Sequence, residues 1–172
     1  MTKVQRWLDE LFVADFKNGI LYWKKRFDRS RSWNSRYSGM PAGTLNACGY
    51  VHIVIGDKSD YAHRIIWAMY YGSWPVHQID HKDRNRSNNR IENLREATCQ
   101  QNRANKPVRS DSTTGIKGIS PKRKKWQARI AGKNLGVFDT QREASDAYDR
   151  AAHIKYGEFA LVNNLGSILG EK

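Results

Sequence analysis

A polar segment near the middle of the chain, RANKPVRSDSTTG at 103–115, limits what the protein can fold into. A proline and a Ser/Thr cluster in so polar a stretch are typical of a linker or a domain boundary. The chain has 172 residues, so the segment leaves two parts that are each small for an independent hydrophobic core. We therefore predict two small domains with a linker and a tail, at 1–106, 107–114 (linker), 115–165 and 166–172 (tail).

The N-terminal part mixes helical and strand patterns. Apolar residues at helical spacing predict a short amphipathic helix at its start, formed by Val4, Trp7, Leu8, Leu11 and Phe12. The runs GILYWKK (19–25) and GYVHIVI (49–55) are typical of strands, and the polar stretch 28–44 predicts a loop that can touch a partner. The run at 62–72 predicts an apolar helix that ends at Gly72.

The C-terminal part has a simpler order. Three short β-like runs, GIKGIS, KWQARIA and NLGVF, are separated by the turns PKRK and GK. A helix follows, for which Thr140 and Glu143 form a capping box and Gly157 is a plausible stop. The expected fold class is α+β, with this unit a three-stranded antiparallel sheet packed on one helix.

The charge balance predicts the kind of partner. The formal net charge is +13, which favours a polyanion, most simply nucleic acid, although a ribosomal or membrane-surface role could produce the same balance. Cys48 and Cys99 form no CxxC pair, so neither a Cys-based zinc site nor a disulfide framework is expected. No signal-peptide core and no run of membrane-spanning length is visible, so we expect a cytoplasmic protein that is neither secreted nor membrane-bound.

An Asp-His pair at 80–81 carries the residues that phosphodiester hydrolysis requires. An imidazole can deprotonate water near neutral pH, and a hard divalent cation such as Mg²⁺ or Mn²⁺ takes oxygen ligands from Asp and Asn. Neighbouring residues of a strand point to opposite sides, so Asp80 could bind metal while His81 activates water.

Two asparagines complete this candidate site. Thr98 and Gln101 form a capping box that predicts a helix from residue 99, with Asn102 in its first turn as a second metal ligand. Asn93, beside an Arg/Asn-rich loop, could tie that loop together and orient His81. The other asparagines of the loop are predicted to form turns, with Asn88 and Asn89 also candidates for ordering it.

The runs IDHKDRNRSNNRIENLREAT and QQNRAN resemble the HNH endonuclease motif, in the Asn-ended form of phage and intron homing endonucleases. With the lead-in runs GYVHIVI and AHRIIWAMYYGSWP, the resemblance covers about residues 8–106. It implies a ββα-metal fold around one divalent ion, with His81 as general base, Asp80 and Asn102 as metal ligands and Asn93 as the asparagine that positions the histidine. His63 and Arg64 match the family's His-Arg pair, for phosphate contact or support. The loop arginines Arg84, Arg86 and Arg90 are further candidates for phosphate contact.

The marks GIKGI, LGVFDT, EASDAYDRAA and GEFALVN resemble the plant ethylene-response-factor (apetala-type) DNA-binding domain, over about 113–163. The resemblance implies that the sheet lies in the DNA major groove. Strand alternation directs Gln127 and Arg129 outward, and Lys117, Lys122, Arg123, Lys125 and Lys133 add positive charge. Ser120, Arg129 and Asn134 depart from the plant pattern, so the plant target sequence does not transfer.

Together the two parts lead us to expect a site-specific, homing-type endonuclease that cuts or nicks double-stranded DNA with one divalent ion. We expect a monomer or weak dimer, in the host cytoplasm if the gene belongs to a phage. A non-cleaving, sequence-specific DNA-binding regulator is the alternative, and an RNA-directed nuclease is a third.

Overall fold

The computed structural model describes residues 1–164 and divides the chain into two compact units, Met1–Thr98 and Cys99–Lys172. The predicted domain boundaries stay a prediction, and the predicted tail lies outside the described residues. The first unit contains α1 (Lys3–Leu11), β1 (Phe12–Asp15), β2 (Ile20–Trp23), α2 (Arg31–Tyr37), β3 (Thr44–Leu45), β4 (Val51–Ile55), β5 (Lys58–Tyr61), α3 (Ala62–Tyr71), β6 (Gln78–His81), a short 3-10 helix (Ile91–Asn93) and β7 (Leu94–Ala97).

Small antiparallel sheets and helices share one core in the first unit. The sheets are the pair β1-β2, the three strands β3-β4-β5 and the pair β6-β7. The core includes completely buried side chains from α1, β1, β4 and α3, namely Leu8, Phe12, Ile53, Ile65 and Ile66. As predicted, the chain opens with an amphipathic helix, but the helix ends at Leu11, so Phe12 belongs to β1, and Trp7 is exposed rather than in the core. Helix α3 ends at Gly72 as predicted, and the φ of +81° at this residue is a left-handed conformation that glycine adopts without strain.

The stretch predicted as a loop at 28–44 contains a helix, α2, and that part of the prediction is wrong. Ser30 caps the helix by accepting a hydrogen bond from the Trp33 amide at 3.1 Å. Trp33 and Tyr37, one turn apart, pack against each other with tilted rings, and Trp33 packs edge-to-face against Trp23 of β2. Two aromatic contacts therefore stabilise α2, although its Ser- and Arg-rich sequence does not predict a helix.

The second unit has the predicted order of three strands and a helix. It contains α4 (Cys99–Asn105), β8 (Ile119–Lys122), β9 (Lys125–Ile130), β10 (Lys133–Phe138), α5 (Gln141–Tyr156) and a short 3-10 helix (Gly157–Phe159). The sheet order is β8-β9-β10, antiparallel throughout, and α5 packs on one face through small residues and Tyr148. The Thr140–Glu143 capping box and the end of α5 at Gly157 are confirmed. Both units together give the α+β class.

The first strand of this unit begins later than predicted. The sequence placed it at GIKGIS with PKRK as a turn, whereas β8 runs from Ile119 to Lys122. Gly118 explains the shift, because its φ is +74° and a Cβ there would lie 2.3 Å from the Tyr148 ring. The chain turns at Gly118, where the backbone lies against the Tyr148 ring, and the extended strand begins at the next residue. Within residues 1–164, no helix has both the length and the apolar character needed to cross a membrane.

Candidate active site

Asp80 and His81 end strand β6, which forms an antiparallel pair with β7. In this register Asp80 stands opposite Arg95, and His81 stands opposite Leu94. Both members of the Asp-His pair are buried, with 6% of Asp80 and 4% of His81 exposed. Buried polar groups need hydrogen-bond partners, because desolvation is costly without them. The two side chains therefore depend on the polar groups around them.

Arg95 is the ionic partner of Asp80. Its Nε and Nη2 atoms lie 3.0 and 2.9 Å from Oδ2 of the carboxylate. Arg95 is itself only 9% exposed, so the pair is a buried, charge-assisted contact. The Arg95 guanidinium compensates the buried negative charge of Asp80 and fixes its carboxylate on the antiparallel β6–β7 pair, which we call the β6–β7 ribbon.

Asn89 is the side chain that holds the imidazole of His81. Nε2 of His81 lies 3.1 Å from Oδ1 of Asn89, and Asn89 is 2% exposed. An amide oxygen only accepts hydrogen bonds, so Nε2 carries the proton in this contact and Nδ1 is the basic nitrogen of the neutral ring. The asparagine, predicted to form a turn or order the loop, is buried and selects a tautomer of the candidate base.

The environment also favours the neutral form of His81. Burial lowers its pKa below the ordinary 6.5, and the Asn89 hydrogen bond and the charges of Asp83 and Asp80 offset only part of that effect. A histidine with a lowered pKa is unprotonated at neutral pH, which a general base requires.

Asn93 closes the loop between the two strands. Its Nδ2 donates to Oδ1 of Asp83 at 2.9 Å and to the Asn88 carbonyl at 2.8 Å. Its Oδ1 accepts from the Asp83 amide at 3.1 Å, and its carbonyl accepts from the Lys82 amide at 2.9 Å. Asn93 therefore ties the residues that follow His81 to the start of β7, as predicted for loop closure. The His81 ring donates a hydrogen bond to Asn89 through Nε2.

Asp83 is the charged centre of this loop. Burial acts to raise its pKa, but hydrogen bonds from the Asn88 side chain, the Asn85 amide and the Asn93 side chain outweigh burial, so the pKa is lowered. The carboxylate stays ionised and keeps the loop ordered at neutral pH.

Aromatic rings and a second histidine pack on His81. The His63 ring meets it edge-to-face, with centroids 5.1 Å apart, and His63 is stacked on Tyr61 at 5.5 Å. Tyr50 lies 5.5 Å from the His63 ring and 6.1 Å from the His81 ring. Burial first, then the charges of His81 and Arg64, lower the pKa of His63 to about 3. His63 is therefore a neutral packing group that supports His81.

The predicted phosphate-binding arginines occupy different settings in the first unit. Arg64 pairs with Asp60, Nε to Oδ1 at 3.0 Å, and lies over the Trp74 ring. Arg86 covers the Tyr50 ring at 5.1 Å and donates to the Cys48 carbonyl at 2.9 Å. Arg84 and Arg90 are exposed. Arg86 is thus connected to the His81 cluster through Tyr50.

The second unit contains Asn102 and the predicted DNA-binding residues of the sheet. Asn102 lies on α4, which begins at Cys99 as predicted, and its role as a metal ligand stays a prediction. On β9 the residues Ala128 and Ile130 are buried, whereas Arg129 is exposed and Gln127 is half-buried and bonded to Asn134. This alternation agrees with the predicted outward side of the strand.

The cationic side chains of the second unit are not equivalent. Lys122, Arg123 and Lys133 are exposed. Lys125 pairs with Asp139 at 2.8 Å, and that hydrogen bond raises its pKa. The Lys117 ammonium donates to the Ala104 and Lys106 carbonyls, so it serves the fold of its own unit. Lys117 is consequently the weakest of the predicted contacts to DNA.

A hard divalent cation is compatible with the residues at the end of β6. Among residues 1–164 no three His, Cys, Asp or Glu side chains form a metal-binding group. Magnesium does not need such a group, because it keeps several waters and binds one or two carboxylates together with substrate phosphates. Asp80 offers one buried carboxylate beside a neutral imidazole, and oxygen donors suit Mg²⁺ or Mn²⁺ better than a soft metal.

Two comparisons with known proteins both indicate similarity to HNH endonucleases. Residues 60–104 match the family model described as HNH endonuclease. A protein of Acanthamoeba polyphaga mimivirus, described as an uncharacterised HNH endonuclease, is 35% identical over 89 residues, which are 51% of this chain and 47% of that protein. The chain therefore spans about half the length of this curated relative. No solved structure matches the chain significantly. The matched segment includes Asp80, His81, Asn89, Asn93 and Asn102, and the likeness to HNH endonucleases supports a nuclease.

Proposed function

We propose that the chain is a metal-dependent DNA endonuclease of the HNH type, with His81 as general base and Asp80 and Asn102 as ligands of one divalent ion. The observation that carries this proposal is the buried His81, with its lowered pKa, directly beside the buried carboxylate of Asp80. Both lie in the segment that matches the HNH endonuclease model. HNH nucleases generally use a divalent metal, and magnesium or manganese suits the oxygen donors of the site.

The proposed reaction uses residues of the β6–β7 ribbon. Nδ1 of His81 accepts a proton from water, the hydroxide attacks the phosphorus, and the bond to the leaving sugar oxygen breaks. Solvent protonates the leaving oxygen. Asn89 keeps the proton on Nε2 throughout, so the ring receives the water proton at the correct nitrogen. A divalent cation at this site would supply positive charge to the phosphate and the leaving oxygen.

The second unit is proposed to supply recognition, as a sheet that resembles the ethylene-response-factor domain and contacts the major groove. Exposed cationic side chains on this sheet and its turns, among them Lys122, Arg123, Arg129 and Lys133, support electrostatic binding to DNA. Contacts to phosphates position a protein on DNA, whereas contacts to base edges specify sequence. Gln127 and Arg129 are the candidates for base contact. A reading unit joined to a cutting unit is what a site-specific, homing-type enzyme requires.

A non-cleaving DNA-binding regulator would carry the same positive charge, so only chemistry separates the two functions. We would incubate purified protein with duplex DNA pools in Mg²⁺, Mn²⁺ or EDTA and sequence the product ends. The proposal expects cuts or nicks that require metal and recur at defined sequences. Binding without cleavage in either metal would favour the regulator, and cleavage of RNA alone would favour the RNA-directed nuclease.

A further inference from the structure

A second strongly basic surface lies in the first unit, outside the candidate active site. The segment 24–37, KKRFDRSRSWNSRY, contains six Lys or Arg residues and a single acidic one, Asp28. Asp28 is paired with Arg26 and lies within 4.0 Å of Arg29. We call this segment the basic segment. Its residues 28–37 belong to the stretch 28–44 that is predicted to be a loop, and it contains α2.

Tryptophan side chains packed edge-to-face lie beneath the basic segment. The Trp23 and Trp33 rings meet edge-to-face at 5.5 Å. The guanidinium carbons of Arg26 and Arg29 each lie 5.8 Å from the centre of the Trp33 ring. Cation–π contacts of this kind hold arginines in place while they keep their positive charge. Arg26 is largely buried and paired with Asp28, so the exposed positive charge of the segment comes mainly from Lys25, Arg31 and Arg36, on a backbone fixed to the core.

Asn34 fixes the tip of the basic segment. Its Oδ1 accepts from the Arg26 amide at 2.7 Å, and its Nδ2 donates to the Arg26 carbonyl at 2.7 Å. The same Nδ2 lies 3.3 Å from the Arg29 carbonyl and 3.2 Å from that of Ser30. These contacts hold the backbone on both sides of a three-residue tip whose first residue, Phe27, is 99% exposed. A fixed loop therefore presents a whole phenyl ring to solvent within a segment of net positive charge.

We propose that the basic segment docks on duplex DNA and that Phe27 inserts as an apolar wedge at a base step. This inference rests on the proposed function in that DNA is the partner. Proteins that kink DNA commonly insert Phe, Leu or Met between bases while nearby arginines contact the phosphates. Charge complementarity selects a nucleic acid as the occupant, and the ring held outward adds a contact that phosphate binding alone does not use.

The position of the basic segment suits a contact away from the cut. Gly19, just before β2, packs against the backbone of Asn89 and Arg90 in the loop of the candidate active site. Four residues of strand β2 then lead to Trp23, a span of about 13 Å at 3.3 Å per residue. That span corresponds to roughly four base pairs. Trp23 and the basic segment that follows it are therefore separated along strand β2 from the loop that holds Asn89.

The test uses the full-length protein without metal, so that binding is measured apart from cleavage. Duplex affinity would be measured by fluorescence anisotropy, and unwinding by relaxing closed circular DNA with a metal-independent topoisomerase in EDTA. The variants are Phe27→Ser, Phe27→Trp and the control Val76→Ser, which removes another exposed apolar side chain, 86% exposed, from the same unit. Both side chains, Phe27 and Val76, face solvent, so folding should be unaffected in all three variants.

We expect the wild-type protein to unwind the circle, and Phe27→Ser to bind about tenfold more weakly and to lose the unwinding. Phe27→Trp should retain both properties, and Val76→Ser should match the wild type. The wedge is refuted if Phe27→Ser binds and unwinds normally, if the wild type does not unwind DNA, or if Val76→Ser loses as much. If the wild type still cuts DNA in those cases, the proposed function stands; a protein that binds no duplex at all refutes both.

Discussion

At the residue scale, His81 depends on neighbours that restrict its ring. Asn89 binds Nε2, and His63 packs on the ring from the side, with centroids 5.1 Å apart. A base whose tautomer is fixed needs no rearrangement before it accepts a proton. The lowered pKa of His81 further predicts that the acidic limb of the pH–rate profile lies below 6.5, because only the neutral ring accepts the proton.

Substitution of Asn89 tests this arrangement. Asn89→Ala removes the partner of Nε2, and we expect cleavage to slow by about 10- to 100-fold with little change in DNA affinity. Asn89→Asp places a carboxylate beside the ring, which raises the pKa of His81, so the acidic limb should move to higher pH. Single-turnover rates across pH would measure both effects. Asn85→Ala, an exposed change in the same loop, is the control, and an equal loss there would contradict the assignment.

His63 makes a prediction about stability. Its pKa is about 3 in the folded chain and about 6.5 when unfolded, so below pH 6.5 the unfolded chain takes up a proton that the folded chain excludes. The free energy of unfolding should therefore fall as pH falls from 6.5 towards 3, by up to about 1.4 kcal/mol per pH unit from this group. Urea titrations at about pH 7 and pH 5, followed by tryptophan fluorescence, measure the fall.

The matched variants for this measurement are His63→Gln and His77→Gln. Five of the six tryptophans lie in the first unit, so their fluorescence reports mainly on its unfolding. His63→Gln should flatten the dependence on pH, whereas replacement of the exposed His77 should not. Equal slopes in the wild type and His63→Gln would show that His63 is not a buried neutral group.

At the scale of elements, the β6–β7 ribbon and its connecting loop form the candidate site. Asn93→Ala removes two donated hydrogen bonds and one accepted bond that close this loop. We expect the free energy of unfolding to fall by about 3 kcal/mol, since each of the three hydrogen bonds contributes about 1 kcal/mol. Cleavage should fall with it, because the loop also carries Asn89. Urea unfolding compared with Asn85→Ala measures the effect, and an unchanged stability would contradict this role.

Elements with a strong local signal were predictable from the sequence. The boundaries of α3 and α5 follow from apolar spacing, a capping box and terminal glycines, and the alternation along β9 follows from strand geometry. Strands β1 and β5 were not foreseen, because each has four residues and β5, with the sequence KSDY, has no apolar alternation. Helix α2 was not predicted because its stabilising contact, between Trp33 and Trp23, joins residues of different elements.

The candidate site divides in the same way. Asp80, His81 and Asn93 were identified because their chemistry and spacing form a motif. The contacts of three further residues were not predicted, namely Arg95, Tyr50 and Asn89. They contact the site through strand pairing and tertiary packing, which the local sequence does not predict. A signal for Arg95 was present, since an arginine directly across a strand pair from an aspartate is a favourable partner, but the register was needed to see it.

At the scale of the whole molecule, two units with separate cores divide the proposed work. The triple change Arg123→Gln, Arg129→Gln and Lys133→Gln removes three exposed charges from the sheet and its turns. We expect weaker DNA binding and a shallower salt dependence, with the slope reduced by about one unit for each phosphate that the variant no longer neutralises. Anisotropy titrations at several salt concentrations would measure both.

The matched control removes the same charge from the helix of that unit, with Arg142→Gln, Arg150→Gln and Lys155→Gln, all exposed on α5. If the sheet is the DNA-binding face, the helix variant should bind nearly as the wild type does. Equal losses from the two triple variants would mean that net charge, and not the sheet, attracts DNA.

The most direct test of the account is the cleavage rate of His81→Ala, measured together with its DNA affinity in the presence of Mg²⁺. Loss of a general base typically slows a reaction by about 10²- to 10⁴-fold, so we predict that metal-dependent cutting falls by at least about 100-fold while binding is retained. A variant that still cuts at the wild-type rate would contradict the assignment of His81 and, with it, the proposed active site.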